Sequence, residues 1–244
     1  MNACFDDWET SEAKDNYAGW TALCRTLRVC ENLTKINLSD MGIGPTALTA
    51  LSGVLVDQRL QTQLQTIILD RNKKLIPLQK DGEGDESHCD GFRALCSAIA
   101  TSSVSTLSIC GCTLNGTSGA LSTLAENLFC RAELQHLGQK SQLKSLFLDL
   151  NNITAGEQNR FTDVGLTSLL RALKSSALTE LSMSGCSLDH RGLSALSSDL
   201  RGTPVVILNI SNNPKILGES DYLGKLSLSG MSAKKVLLLS IHCH

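Results

Sequence analysis

Apolar residues recur along the chain at the first, fourth, sixth and eleventh places of a short unit, with Asn, Cys or Met at the ninth. Leu33, Ile36, Leu38, Met41 and Ile43 form the first copy. Leu64, Ile67, Leu69, Asn72 and Leu75 form the second, with one extra residue before its last leucine. Val104, Leu107, Ile109, Cys112 and Leu114 follow, then Leu143, Leu146, Leu148, Asn151 and Ile153. Leu178, Leu181, Met183, Cys186 and Leu188 make the fifth copy, and Val205, Leu208, Ile210, Asn213 and Ile216 the sixth, which again has one extra residue before its last member. A seventh starts with Val236, Leu239 and Ile241 and stops at His244. The alternation around the fourth and sixth places predicts short strands whose apolar side chains point into a shared interior. Between them lie segments of helical spacing. Pro45 to Leu55 carries Leu48, Leu51, Val54 and Leu55, and others open at Gly91-Phe92, Gly165-Leu166 and Gly192-Leu193.

No single unit of this kind can bury its apolar face, so neighbours must stack. The ninth-place Asn is expected in the turn after the strand, bonding backbone groups that the bend leaves unpaired. Cys112 and Cys186 fill the same slot as small apolar groups with a weak donor. Copies starting at 33, 64, 104, 143, 178, 205 and 236 are unevenly spaced, which marks insertions. The largest is Lys73 to Asp90, acidic at Asp81, Glu83, Asp85, Glu86 and Asp90. Others lie at Phe129 to Gln142 and Thr154 to Thr162. Insertions in solenoids map to loops, often on a binding face. Upstream, Trp20, Leu23, Cys24 and Leu27 recur at helical spacing, as in a helix that covers the first strand.

From about residue 20 onward these motifs resemble the leucine-rich repeat family, with its LxxLxLxxN/CxL signature. The helix-containing repeats look like the ribonuclease-inhibitor-like subclass. The resemblance implies an α/β leucine-rich repeat solenoid, a horseshoe arc with parallel strands on the concave face and helices on the convex face. Residues 1–15 read as an acidic arm. Residues 16–244 read as one repeat domain: a capping helix at about 16–30, six repeats and a partial seventh strand. No polar cap follows that strand, so the C-terminal edge is expected to be truncated or to pair with something.

Composition narrows the function classes. Of 244 residues 42 are leucine and only 4% are aromatic, so the core is aliphatic on a regular scaffold. A net charge of -2 supplies no global basic field, and Lys73-Lys74 and Lys234-Lys235 are isolated pairs, so neither nucleic acid nor a membrane is expected as a partner. No apolar run approaches the length of a membrane-spanning helix. The acidic start, with Asp6, Asp7, Glu9, Glu12 and Asp15, reverses a secretory signal, so the ten cysteines read as reduced thiols in a cytoplasmic or nuclear setting. Cys110 and Cys112 face different sides in the repeat register and lack a second pair, while His88-Cys89 and His242-Cys243-His244 are local. No metal or other cofactor is expected. No nucleophile elbow, Walker loop or HExxH is present, so no catalytic residue is assigned.

What remains is the concave sheet, where positions three, five, seven and eight project away from the core. Lys35, Asn37, Asp40, Ile68, Asp70, Arg71, Ser108, Phe147, Asp149, Glu180 and Asn209 are the partner-binding candidates. Most outward residues are small and polar. Ile68 and Phe147 are the exceptions, and an outward aromatic beside aspartates suits an interface anchor. The resemblance implies a non-enzymatic interaction module or scaffold for a protein partner. Left open are a regulator of an enzyme (a small-GTPase activator using rim Arg71, or an active-site-plugging inhibitor) and a structural subunit of a cytoskeletal or signalling assembly.

Overall fold

The computed structural model describes residues 17–76, 89–116, 119–130, 141–154, 161–217 and 236–238, with residues 17, 18 and 236–238 described by backbone alone. Seven three-residue strands pair in parallel and in chain order: β1 Lys35–Asn37, β2 Thr66–Ile68, β3 Thr106–Ser108, β4 Ser145–Phe147, β5 Glu180–Ser182, β6 Ile207–Asn209 and β7 Val236–Leu238. The described helices are α1 Tyr17–Val29, α2 Pro45–Leu55, α3 Gln58–Gln63, α4 Asp90–Ala100, α5 Ala120–Phe129, α6 Val164–Leu173 and α7 His190–Asp199, with a 3-10 turn at Pro214–Leu217. The order is that of an α/β solenoid.

Local sequence starts the helices where they start. Pro45 opens α2, where its missing N–H leaves no lost bond. Asp189 caps α7, its carboxylate accepting from the Arg191 and Gly192 N–H groups. Gly91 opens α4 hard against α2; a Cβ there would lie 2.1 Å from the Pro45 carbonyl oxygen. Apolar places one, four, six and eleven build one core running from Trp20 to Ile216, and Leu143, Leu146, Leu148 and Ile153 are fully buried within it. The buried side of α1 is Trp20, Cys24 and Leu27.

The turns follow a rule with a period of two repeats. Asn72, Asn151 and Asn213 stand at the ninth place of the second, fourth and sixth copies, and all are buried. Asn72 Oδ1 accepts from the Met41 and Ile43 N–H groups, and its Nδ2 donates to the carbonyls of Leu38 and Leu69. Asn151 repeats this with Cys112, Leu114, Ile109 and Leu148. Asn213 takes the Leu188 N–H and donates to Met183 and Ile210. The acceptor seat exists because place ten of the odd copies is left-handed: Gly42 at φ 64, Thr113 at 58 and Ser187 at 57. A left-handed residue between two amides turns both N–H groups toward one point, a concave nest for an oxygen. In the odd copies Cys112 and Cys186 donate their S–H groups backward, to the Leu69 and Leu148 carbonyls at 3.2 and 3.0 Å.

One expected register is corrected. The repeat spacing puts Val236 at place one of the seventh copy, but β7 pairs Val236 with Ile207 and Leu237 with Leu208, so Val236 stands at place three. A two-residue slip preserves the alternation of faces, and the Val-Leu-Leu-Leu run at 236–239 satisfies both settings. The acidic insertion at 81–88 and the chain end at 239–244 lie outside the described residues.

Candidate protein-interaction surface

The sheet sets its outward side chains in rows. In the fifth-place row Ile68, Ser108, Phe147, Ser182 and Asn209 pair in sequence, so Phe147 has a serine on each side. Ile68 and Phe147 are half-buried, while Ser108 and Ser182 are 8% and 3% exposed. The even strands β2 and β4 therefore carry bulk, and β3 and β5 lie low between them.

Several candidates do more for the scaffold than was expected of partner-facing groups. Asp70 Oδ1 accepts from the Ser108 hydroxyl at 2.6 Å and the Cys110 N–H at 2.9 Å. Asp149 Oδ1 does the same one pair of repeats later, with the Ser182 hydroxyl at 2.5 Å and the Ser184 N–H at 2.7 Å. Each aspartate thus staples its strand end to the next repeat with one oxygen and keeps Oδ2 outside those bonds. Ser108, expected to face a partner, is buried beneath Asp70. Glu180 accepts from the Ser145 hydroxyl at 2.7 Å, and Asn209 donates to Ser182 while its Oδ1 holds the Ser211 N–H. Lys35 and Asn37 stand exposed at the first strand, with Asn37 accepting from Ser39. Arg71 does not stand free on the rim: its Nε is 2.6 Å from Asp40, and the hydrogen bond and charge of Asp40 push the guanidinium pKa up.

Place eight is left-handed in all six complete copies: Asp40, Arg71, Gly111, Leu150, Gly185 and Asn212. Its N–H continues the ladder, as from Leu150 to the Ser184 carbonyl at 2.8 Å, and the chain then turns away. Glycine or asparagine accepts that conformation readily, whereas leucine is strained there. Leu150 is nevertheless 70% exposed, with its Cδ2 lying over Gly185, whose own Cβ would meet it at 2.9 Å. Sequence reasoning passed over Leu150. The signal available was a large apolar residue at the one outward place that the other copies fill with Asp, Arg, Gly or Asn.

Burial disfavours the thiolate form of the cysteines near the sheet. Burial pushes Cys110 up to about 11, against a lowering hydrogen bond from Ser108, and pushes Cys112 and Cys186 up to about 12. Cys110 is half-exposed, and Cys112 is buried in its turn. No group of three His, Cys, Asp or Glu side chains suited to a metal occurs among the described residues, and no described helix is long and apolar enough to cross a membrane. On the convex face, a groove of about 740 Å³ separates α6 from α7, where Thr167, Ser168, Ser194 and Ser198 occupy the seam and Arg191 stacks over Phe161.

A parallel sheet in chain order, with described helices between its first six strands and buried Asn and Cys turns, has the architecture of an α/β leucine-rich repeat solenoid. The family model described as a leucine-rich repeat matches residues 174–197, the stretch that holds β5 and most of α7. No curated protein matches the chain. Among solved structures, the tropomodulin C-terminal domain of Caenorhabditis elegans is similar at 11% identity, over 86% of this chain and 89% of that one, with a TM-score of 0.42. The actin-binding site 2 of leiomodin-1 is similar at 13% identity, over 81% and 80% of the two chains, with a TM-score of 0.41. At those values the likeness carries no argument about this chain's partners.

Proposed function

We propose that this chain is a non-enzymatic protein-interaction module whose concave face around β4 receives a protein partner. The observation that carries the reading is Leu150, strained at φ 58 and 70% exposed beside half-buried Phe147. A left-handed non-glycine residue costs about 1–2 kcal/mol, and exposing a leucine gains the fold nothing in return. Both disadvantages are offset when a partner covers the side chain. Asp40 already holds Arg71, so the rim arginine gives no separate support to a GTPase-activating role.

Leu150→Gly separates site from scaffold. It removes the apolar anchor and relieves the strain, so melting holds or rises while capture of native partners from the source cell falls. Val164→Asp, on the convex face at a residue 65% exposed, serves as the control and leaves capture intact. Equal recovery of the same partners by wild type and Leu150→Gly would remove the concave face from consideration.

A further inference from the structure

The first repeat is the thinnest-covered layer of the core. At places four and six the second to fifth copies are wholly enclosed, Ile67 and Leu146 among them, whereas Ile36 and Leu38 of β1 keep 5% and 7% of their surface. α2 packs between α1 and α4, while α1 packs chiefly on α2. The core side of α1 is Trp20, Cys24 and Leu27. Half a turn around the helix, Ala22, Arg25, Thr26 and Val29 stand at i, i+3, i+4 and i+7 and are all exposed, Val29 at 72%. Arg25 is the one charged residue of this stripe and makes no ion pair among the described residues. Arg28 borders it, donating to the Gly53 carbonyl at 3.3 Å, and α1 holds no Asp or Glu. The nearest acid downstream, Glu31, follows the helix.

We infer that the occupant of this stripe is the chain's own segment 5–12, laid antiparallel on α1 as a helix. The segment lies outside the described residues, and it is assigned by complementarity of pattern, charge and reach. At helical spacing Phe5, Trp8, Glu9 and Glu12 share one face, again at i, i+3, i+4 and i+7. Each face therefore runs for about 10.5 Å of helix. Residues 13–16 are left as the connection, a length that joins antiparallel helices. In that register Phe5 and Trp8 cover the Val29 end, and Glu9 comes opposite Arg25. Residues 1–16 carry Asp6, Asp7, Glu9, Glu12 and Asp15 against Lys14 alone, opposite in sign to α1. A helix this short is marginal by itself, so the aromatic contact and the tether must hold it. A second copy offers the same segment at a far lower effective concentration, which favours the chain's own.

The test uses the full chain. Trp8 and Trp20 are its two tryptophans, so subtracting the emission of Trp8→Phe isolates that of Trp8. Docked, Trp8 is shielded from acrylamide relative to a free peptide of residues 1–16, and it shows nuclear Overhauser contacts to the Val29 methyl groups. Arg25→Glu, at an exposed position, lowers the docked-to-free ratio about fivefold, while amide exchange in the later repeats stays as it was. Adding Glu9→Arg restores the shielding, because the reversed charges attract again. Shielding no better than in the free peptide overturns the inference. So do Trp8 contacts to any other face, indifference to Arg25→Glu, or no recovery in the double variant. Shielding that fades on dilution puts a second copy on the stripe and overturns it as well.

Discussion

Asn151→Ala tests the turn ladder most directly. The amide joins two repeats through four buried bonds: N–H groups of Cys112 and Leu114 to Oδ1 at 2.9 and 3.1 Å, and Nδ2 to the carbonyls of Ile109 and Leu148 at 2.8 Å each. Alanine removes all four bonds and leaves the Cys112 and Leu114 N–H groups and the Ile109 carbonyl enclosed without the amide, while the Leu148 carbonyl keeps the Cys186 thiol. At about 1 kcal/mol for each bond, and more for any group that water cannot reach, the loss is about 4 kcal/mol, a large part of the total for a domain. Urea unfolding gives the magnitude, and native-state amide exchange gives the location. Exchange should rise first at Cys112 and Leu114, because repeats couple mainly to their neighbours. Asn151→Cys should recover part of the loss, since a thiol donates backward in the adjacent copies. A loss below about 1 kcal/mol, with exchange at those amides unchanged, would refute the ladder as the coupling element.

Glycines separate by what a methyl group would meet. Gly91→Ala drives Cβ to 2.1 Å from the Pro45 carbonyl oxygen and should cost about 3 kcal/mol, whereas Gly53→Ala in α2 meets nothing within 4 Å and should gain about 0.5–1 kcal/mol from helix propensity. Thermal melts of the two variants moving the same way would contradict this. Asp189 is desolvated, which raises its pKa, but bonds from Gly192 and Arg191 outweigh that and hold it below the ordinary carboxylate value. Its contribution is therefore present above that ordinary value and lost as pH falls through the lowered one. Asp189→Ala should destabilise by about 1 kcal/mol at neutral pH, and the gap to wild type should close in acid. Brief alkylation near pH 8 should mark exposed Cys130 well before Cys112 and Cys186; equal labelling in the folded protein would contradict their burial.

Much of the fold was readable because the strand and helix periods are local. Six copies aligned on their aliphatic places give the strand centres, and Trp20, Leu23, Cys24 and Leu27 mark the face of α1. The seventh strand was expected, but its register was not, because its leucines are contiguous and two settings carry equally apolar sequence. The proposed surface was half legible. Ile68 and Phe147 stood out as apolar residues at outward places. The double duty of Asp70 and Asp149 did not, because their hydroxyl partners lie 38 and 33 residues downstream and meet them only across paired strands. Leu150 was hidden for another reason: its significance lies in a backbone angle, and leucine does not advertise a left-handed conformation.

The alternation of asparagine and cysteine turns has a consequence for how such a chain can grow. An asparagine copy needs a nest in front of it, and the described nests occur in the copies that carry Met41, Cys112 and Cys186. Excising one repeat would set two asparagine turns, or two cysteine turns, side by side, and one set of amides would lose its acceptor. The heritable unit of length is therefore a tandem of two. Duplication or deletion of a tandem leaves every junction intact, and an engineer lengthening this arc should splice between Asn72 and Asn151, or between Asn151 and Asn213, where the pattern begins again in phase.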